Sequence, residues 1–324
     1  MQKILVTGAA GFIGSHVAKE LLNRGNEVVC LDNFSDYYSP EYKKLRVNEL
    51  LKSYKLKIHQ VDLSDAKQTF AALDKFQPEG VIHLAAQPGV RLPINKFNKY
   101  VDSNIVSFNN LLVGLAEREI KTLTYASSSS VYGDISPLPY KETSELLGPT
   151  SYYGATKLLN EQTTRIFSRS GKIVTRGLRY FTVYGAWGRP DMAYFRLIAS
   201  ALGKSEFRLF GDGTIRRDFT FIDDIVNATI DLHLDLKARQ SGFCDVVNIG
   251  GNRPLSMNYL IDCVKNLSSR KLVINKIESN KSDMKSIIGK RQFTSLETGI
   301  EKIFEWMSTD SISRELENWI RSTV

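Results

Sequence analysis

At 324 residues, 42% of them hydrophobic and 24% charged, the chain has the length and composition of a globular protein with a sizeable core, which excludes a disordered polypeptide. Its net charge of +8 comes from scattered basic residues rather than dense stripes, so it indicates either general solubility or an anionic small-molecule ligand, and no nucleic-acid partner is expected. No apolar run is long enough for a membrane span and the three cysteines lack metal spacing, so we expect a cytoplasmic protein with no membrane partner and no metal site.

A strand, a glycine-rich turn, a helix and a second strand begin the chain. The apolar residues 3–7 lead directly into Gly8, Gly11 and Gly14, and the second strand ends at Asp32, 18 residues after the last of these glycines. Glycines at this spacing permit a tight turn and a close approach of the backbone to a diphosphate, which the N-terminus of the following helix then faces. Asp32 suits hydrogen bonds to an adenosine ribose and would repel a 2′-phosphate. The unit therefore predicts bound NAD rather than NADP.

Strands and helices continue to alternate along the chain, which indicates a doubly wound parallel sheet of the α/β class. The further predicted elements of this region are a polar, tyrosine-rich exposed loop and a basic helix within 33–51, strands at 56–61, 80–84 and 122–126, and a long helix at 96–117. Asp62 and Leu63 follow one strand and could flank an adenine or cap the next helix. The small residues at 85–86 would let the backbone approach a cofactor. His83 lies in an apolar run and fits a core position better than a catalytic one.

Two later segments carry side chains suited to an anionic ligand. After a strand at 173–179, residues 180–192 are aromatic and glycine-rich and contain Arg189, and we predict an irregular loop that lines a ligand pocket. Arg216 and Arg217 lie beside a glycine turn. They could bind a diphosphate bidentately or form salt bridges on a solvated strand, and the sequence leaves both interpretations open.

A run of four serines at 127–130 follows the fifth strand, and so lies at the strand end where open α/β sheets bind ligands. A helix capped near Ser151 then begins, in which Tyr153 and Lys157 are four residues apart and share a face, whereas Tyr152 points elsewhere. An ammonium beside a phenol favours the phenolate, so Tyr153 could act as an acid or base near neutral pH with a serine in line. On spacing alone, a surface lysine beside a half-buried tyrosine is the commoner explanation.

These segments together resemble the extended short-chain dehydrogenase/reductase family, and within it the NAD-dependent nucleotide-sugar epimerases, most of all the UDP-glucuronate 4-epimerases. The resemblance covers residues 1 to about 260 and depends on four pieces, at 36–38, 85–91, 127–133 and 179–192. Thr182 stands where UDP-galactose 4-epimerases typically carry Asn. The resemblance implies a Rossmann-type NAD-binding domain formed by 1–178 and about 222–250, and a smaller mixed α/β nucleotide-sugar-binding domain formed by about 179–221 and 251–324.

The resemblance also implies roles for individual residues. Tyr153 would be the acid/base, Lys157 its electrostatic partner and Ser128 the group that holds the sugar 4-hydroxyl. The implied NAD contacts are Gly8, Gly11, Phe12, Ile13, Gly14, Asp32, Asn33, Asp62, Leu63, Ala85, Ala86, Gln87, Asn104, Lys157 and Tyr180. The implied substrate contacts are Arg91, Ser128, Tyr153, Arg217 on the diphosphate, and Ser129, Ser130, Thr182 and Arg189 on a uronate carboxylate.

The implied reaction is the C4 epimerisation of UDP-glucuronate to UDP-galacturonate through a transient 4-keto sugar, with reversible hydride transfer to tightly bound NAD. The family also implies a homodimer formed through the helices at 96–117 and 151–169. A UDP-glucose or UDP-N-acetylglucosamine 4-epimerase and a UDP-uronate decarboxylase stay open as alternatives. A 4,6-dehydratase would need acidic residues beside the catalytic hydroxyl, which the serine run does not offer. A non-catalytic NAD-binding regulator would have no need of the complete Ser128, Tyr153 and Lys157 set.

Overall fold

The computed structural model describes residues 1–90, 92–134, 136, 138–146, 148–270, 272, 274–277 and 293–321. Arg91, an implied substrate contact, lies outside the described residues. Within them, no helix combines the length and the apolar character that crossing a bilayer requires.

Strands and helices alternate through most of the chain. The strands are β1 Lys3–Thr7, β2 Glu27–Asp32, β3 Ile58–Gln60, β4 Gly80–His83, β5 Thr122–Ser128, β6 Val174–Tyr180, β7 Thr182–Tyr184, β8 Phe207–Phe210, β9 Arg216–Phe221, β10 Cys244–Ile249, β11 Pro254–Ser256 and β12 Ile274–Ile277. The helices are α1 Phe12–Asn23, α2 Pro40–Leu51, α3 Ala66–Phe76, α4 Asn98–Tyr100, α5 Ser107–Glu117, α6 Tyr152–Ser168, α7 Ala193–Ala201, α8 Ile222–Asp235, α9 Met257–Leu267, α10 Leu296–Ser308 and α11 Asp310–Arg321.

Seven strands form one parallel sheet in the order β10-β6-β5-β4-β1-β2-β3. Successive residues of β1 pack on opposite faces, since Ile4 and Val6 belong to one buried cluster and Leu5 to another. Helices α1 and α8 pack together, as do α3 and α5, and the burial of both sheet faces produces the nearly continuous apolar strands of such sheets. The predicted α/β class with a doubly wound parallel sheet is therefore confirmed.

The remaining strands form two small sheets. Strand β9 pairs with β7 in parallel and with β11 antiparallel, while β8 pairs with β12. Strand β10 returns to the main sheet beside β6. The division of the chain into two domains at the boundaries given above stays a prediction.

The chain extends β2 and β3 to one side of β1, and β4, β5 and β6 to the other. The reversal creates a switch point between β1 and β4 at the carboxyl ends of the strands, where ligands of open α/β sheets bind. The glycine-rich turn follows β1 at this edge, and the serine run ends β5 there. The fold therefore brings the two main sequence motifs to one edge.

The predicted helix at 96–117 has the right extent but is less regular than expected. Residues Val101–Val106 are π-helical, and the Ser107 N–H donates to the Asp102 carbonyl five residues earlier. A π-helical turn holds one residue more than an α-helical turn and is frequent at functional sites. Hydrophobic periodicity alone cannot reveal such a turn, because the apolar residues before and after it still recur at a spacing close to that of an α-helix.

Two further expectations about irregular segments are corrected. The tyrosine-rich part of 33–51 is not exposed, because Tyr38 is buried in the main core and Tyr37 packs against that core. The segment 180–192 is not wholly irregular, since residues Thr182–Tyr184 form β7 and pair with β9. In both cases the partners lie far away in the chain, so a local pattern could not show them.

Candidate active site

The glycine turn, residues 8–14, joins β1 to α1 and is closely packed. Gly8 has a φ of +68°, and a Cβ built on Gly8 would lie 2.6 Å from the backbone nitrogen of Ala85. A Cβ on Gly14 would lie 2.1 Å from the Gly8 carbonyl oxygen, so neither position accepts a side chain. Helix α1 begins at Phe12 without a side-chain cap, which leaves its first N–H groups available to an anion. The turn therefore fits the diphosphate of a dinucleotide.

Asp32 lies at the end of β2, next to the glycine turn. Its Oδ2 accepts a hydrogen bond from the Ala10 N–H at 2.9 Å, and its Oδ1 accepts one from the Phe34 N–H at 2.7 Å. The Asn33 amide donates to Oδ2 of Asp62 at 3.4 Å, which brings a second carboxylate to the same region. Two carboxylates here suit ribose hydroxyls and disfavour a 2′-phosphate. The geometry agrees with the choice of NAD over NADP.

The segment 85–87, which follows β4, is held by hydrogen bonds with Thr7 on one side and Asn104 on the other. The Ala85 N–H donates to Oγ1 of Thr7 at 3.3 Å. Asn104 accepts from the Gln87 N–H at 2.7 Å and donates to the Gln87 carbonyl at 3.2 Å and to Oγ1 of Thr156 at 3.0 Å. Both amide hydrogens of Asn104 are thus engaged with protein. Its implied NAD contact stays a prediction, and the structure adds a role in holding this strand end against α6.

Helix α6 carries the tyrosine and lysine. The Ser151 side chain caps its first turn, as the sequence predicts. The Lys157 ammonium lies 5.8 Å from the centre of the Tyr153 ring, whereas the Tyr152 ring stacks on Phe97 with centroids 4.6 Å apart. The predicted helix and its shared face are therefore confirmed.

The protonation of this pair differs from the expectation. Burial raises the pKa of Tyr153 above its ordinary value, although the positive charge of Arg189 and a hydrogen bond with Ser128 act to lower it. Burial also lowers the pKa of Lys157 to about 8. The expected lowering of the phenol pKa by Lys157 is thus wrong for the protein alone, because desolvation of the phenol outweighs the nearby charges.

The serine run points its side chains in alternate directions at the end of β5. Ser127 donates to a carboxylate oxygen of Glu161 at 2.5 Å on the buried side. Ser128 donates to the Ser130 hydroxyl and accepts from the Ser130 N–H, both at 3.1 Å. Ser128 also lies opposite Tyr180 of β6 in the sheet register. The turn places the Ser128 hydroxyl next to Tyr153 and directs that of Ser127 into the protein.

A buried ion pair lies beneath the serine run. Both carboxylate oxygens of Glu161 accept hydrogen bonds from Arg179, at 2.9 and 2.7 Å, and the two side chains are 0% and 1% exposed. Arg179 donates further to the Tyr132 hydroxyl at 2.8 Å, and this hydroxyl donates to Asn248 at 2.7 Å. The network ties α6 to β6 and β10. Sequence reasoning missed it, although Glu161 follows Lys157 by one more helical turn.

Arg189 lies in the segment 187–191, which we call the substrate loop after the substrate contact that the resemblance implies for Arg189. Its Nε and Nη2 donate to the two carboxylate oxygens of Asp191 at 2.9 and 2.8 Å. The Tyr37 hydroxyl donates to the same carboxylate at 3.2 Å. Arg189 is close enough to Tyr153 for its charge to act on the phenol pKa. Asp191 and Tyr37 were not singled out from the sequence; an Arg and an Asp two residues apart were the only local signal.

The other implied site residues occupy the following places. Thr182 begins β7 and is half-buried, and the Tyr180 hydroxyl hydrogen-bonds with Thr229 at 2.8 Å. Arg217 lies on β9, and its Nη1 donates to the Arg216 carbonyl at 2.9 Å. Phe12, Leu63 and Ser129 are buried, while Ile13, Ala86 and Ser130 are half-buried.

His83 is a core residue, since its side chain is buried and its Nδ1 is hydrogen-bonded to the Thr7 hydroxyl at 2.8 Å. Among the described residues, His, Cys, Asp and Glu side chains form no group of three or more that could hold a metal ion. The structure thus brings Ser128, Tyr153, Lys157 and Arg189 together at the glycine-turn edge, and the individual roles stay predictions.

Comparisons with known proteins agree with this arrangement. The model of the NAD dependent epimerase/dehydratase family matches residues 4–250. The chain is 36% identical over 313 residues to a UDP-glucuronate 4-epimerase of Thermodesulfobacterium geofontis, with 93% of this chain and 95% of that protein covered.

Two similar solved structures hold ligands. The UDP-glucuronic acid 4-epimerase of Bacillus cereus, in complex with UDP-glucuronic acid and NAD, is 33% identical with a TM-score of 0.82, and 94% and 98% of the chains are covered. MoeE5 in complex with UDP-glucose and NAD is 32% identical with a TM-score of 0.79 at the same coverage. The chain described here therefore belongs to the NAD-dependent epimerase/dehydratase family and is an NAD-dependent enzyme of nucleotide-sugar chemistry.

Proposed function

We propose that this enzyme interconverts UDP-glucuronate and UDP-galacturonate by inverting the configuration at C4 of the sugar. The observation that carries the proposal is the cluster of Ser128, Tyr153 and Lys157 with a guanidinium, Arg189, near the reacting phenol. The names of the similar proteins from Thermodesulfobacterium geofontis and Bacillus cereus support the same substrate.

The acid/base work in this proposal belongs to Tyr153. The bound dinucleotide supplies the oxidation and re-reduction at C4. Ser128 holds the C4 oxygen, and Tyr153 takes the proton of that hydroxyl and later returns it. Lys157 carries a positive charge below its pKa of about 8, and this charge stabilises the phenolate during proton transfer. After the planar 4-keto sugar turns over in the pocket, the hydride returns to the opposite face of C4 and Tyr153 returns the proton to the C4 oxygen.

The uronate carboxylate needs its own recognition, because a 4-keto uronate is a β-keto acid that readily loses CO₂. Hydrogen bonds that hold the carboxylate in a plane unfavourable for C–C cleavage would suppress this loss. We assign this task to Ser129, Ser130, Thr182 and Arg189. Asp191 occupies the Nε and Nη2 edge of Arg189, so the substrate carboxylate would approach Nη1.

A homodimer is also part of the proposal. Leu159 and Ile166 lie seven residues apart on one face of α6 and are 44% and 67% exposed. Val106, at the end of the π-helical segment, is exposed as well. Covering these apolar side chains with the same helices of a second copy would remove them from water. The cytoplasmic location stays a prediction.

The main alternative is a neutral substrate such as UDP-glucose. The charge of Arg189 is already offset by Asp191, so the pocket does not strictly need a second anion. The similar protein MoeE5 also has a solved complex with UDP-glucose. A UDP-uronate decarboxylase shares the early steps and would differ in its failure to protect the carboxylate.

The experiment is to incubate the purified protein with UDP-glucuronate and to resolve the products by NMR. We expect UDP-galacturonate without CO₂ release, approached from either sugar. Formation of a UDP-pentose would instead identify a decarboxylase. Turnover of UDP-glucose without turnover of UDP-glucuronate would show that the uronate assignment is wrong.

A further inference from the structure

Arg46 of helix α2 contacts both the glycine turn and the substrate loop. Its side chain is fully buried. Nε donates to the carbonyl of Trp187 at 2.8 Å, and Nη1 donates to the carbonyl of Ala10 at 2.7 Å. Nη1 also donates to the Tyr38 hydroxyl at 2.9 Å. A single guanidinium thus connects two segments that are separated by more than 170 positions in the sequence.

No acidic side chain within the described part of the chain forms an ion pair with Arg46. Across the parts of the chain that the structure describes, its neighbours are the rings of Tyr38 and Tyr42, 5.5 and 4.7 Å away, and Nη2 is buried without a hydrogen-bond partner. Other buried arginines of this protein are paired, Arg179 with Glu161 and Arg176 with Asp235. Burying a cation that has no ion-pair partner lowers the stability of the folded protein, so an anion bound nearby would stabilise it.

Arg46 donates to the Ala10 carbonyl in the glycine turn, and this turn is suited to bind an anion. The N–H groups at the start of α1 lack a side-chain cap, and the cofactor of this enzyme brings a diphosphate with two negative charges. In the poorly screened interior, the Arg46 charge would favour that diphosphate even without touching it. Arg46 therefore contributes to cofactor retention both by fixing the turn and by its charge.

The second contact of Arg46, from Nε to the Trp187 carbonyl, fixes the first residue of the substrate loop. Trp187 has a φ of +61°, a conformation that is strained for a bulky residue and needs support from its surroundings. Arg46 holds the Trp187 carbonyl, and the Tyr42 hydroxyl donates to the next carbonyl, that of Gly188, at 2.8 Å. The following residue is Arg189. Helix α2 thus fixes the two peptide units that lead into the guanidinium near the reacting phenol.

We propose that Arg46 is a positioning residue that couples retention of NAD to recognition of the substrate by Arg189. The substrate half rests on the proposed function, whereas the NAD half does not. If the two loops are held by one buried side chain, its removal should disturb both ligands together. A residue that served only the core would lower stability without changing either ligand.

The test replaces Arg46 by Met, which keeps the length of the side chain and removes the charge and its donors. We expect the dissociation constant for NAD to rise on the order of 10-fold and the KM for UDP-glucuronate to rise similarly, with a smaller rise for UDP-glucose. NAD content after gel filtration and competition with added NAD measure the first effect. The matched control is Arg176→Met, which removes a buried arginine from β6 that contacts neither loop. It should lower the melting temperature and leave NAD binding and the KM ratio unchanged.

An Arg46→Met protein that folds, keeps NAD as wild type does and shows an unchanged KM ratio overturns the proposal. If Arg46→Met does not fold, Tyr42→Phe removes the hydroxyl that hydrogen-bonds to the Gly188 carbonyl and interacts with Arg46. We then expect a few-fold higher KM for UDP-glucuronate with NAD binding unaffected, and an unchanged KM would overturn the proposal. If wild type does not turn over UDP-glucuronate, the proposed function fails, while the NAD measurements still decide whether Arg46 supports the cofactor site.

Discussion

The cluster around Tyr153 and the cluster around Arg189 are adjacent, but they are built in different ways. Tyr153 and Lys157 come from one helix, and Ser128 comes from the strand just before it. Arg189, by contrast, is held by contacts with Asp191, and Asp191 is bound by Tyr37 across 154 positions of sequence. Local periodicity therefore places the residues that we propose for proton transfer, whereas the contact that anchors the proposed recognition cluster, from Tyr37 to Asp191, depends on long-range packing.

The two clusters also differ in how they carry charge. Lys157 has a pKa lowered to about 8 by burial, so its charge can change near neutral pH. The Arg189 guanidinium holds the pKa of Asp191 below its ordinary value although burial opposes this, so the Arg189–Asp191 pair keeps fixed charges. One cluster is suited to proton transfer, and the other to recognition that does not vary with pH.

The largest expected effect is a loss of kcat without a loss of ligand binding, in a variant of Tyr153. Tyr153→Phe removes the phenol oxygen that we propose as the proton acceptor and leaves the ring packing in place. We expect kcat to fall by about 10³-fold, with NAD content and KM close to wild type. The measurement is steady-state turnover by NMR, with NAD quantified on the same sample. Turnover within a few-fold of wild type would contradict the acid/base assignment of Tyr153.

The next effect concerns selectivity. Arg189→Ala removes the charged donors of the loop cluster and does not touch the proton-transfer residues. We expect kcat/KM for UDP-glucuronate to fall about 10 to 100-fold, and that for UDP-glucose to fall much less. The neutral sugar is the internal control for folding and for catalysis. Equal losses on both sugars would remove the carboxylate role of Arg189 and the functional distinction between the two clusters.

The smallest effect concerns stability and pH. The pKa of Lys157 is about 8 in the folded protein, against an ordinary value of 10.5. Between these values the unfolded chain binds more protons than the folded one, so the free energy of unfolding rises with pH in this window. Relative to Lys157→Met, we expect wild type to gain about 1 to 3 kcal/mol between pH 7 and 10.5. Urea unfolding at several pH values measures this gain, and parallel pH curves for the two proteins would disprove it.

The sequence was sufficient where the determining contacts are local. The glycine turn, Asp32 and the helix with Tyr153 and Lys157 were predicted, because turn geometry and helix periodicity act over a few residues. The same approach failed for the tyrosine-rich loop, which was predicted to be exposed: Tyr38 is buried, and the Tyr37 hydroxyl donates to Asp191 across 154 positions.

The direction of a pKa shift was the other property that residue spacing could not predict. The shared helix face of Tyr153 and Lys157 was predicted correctly, but the direction of the phenol pKa shift was not. That direction depends on how much water the surrounding segments exclude, and these segments come from distant parts of the chain. The same limit applies to the pairing of Glu161 with Arg179, which needs the register of two separate elements.

The π-helical segment Val101–Val106 makes the surroundings of Tyr153 depend on the number of residues in this turn as well as on their identity. Removing one residue from it would restore a regular α-helix and rotate the preceding residues by about 100° around the helix axis. Tyr100 would then turn away from Tyr153, whose ring centre is 6.3 Å from its own, and from the Gly89 carbonyl to which its hydroxyl donates. A single-residue deletion in this turn would thus remove both contacts of Tyr100 without replacing any residue that touches Tyr153.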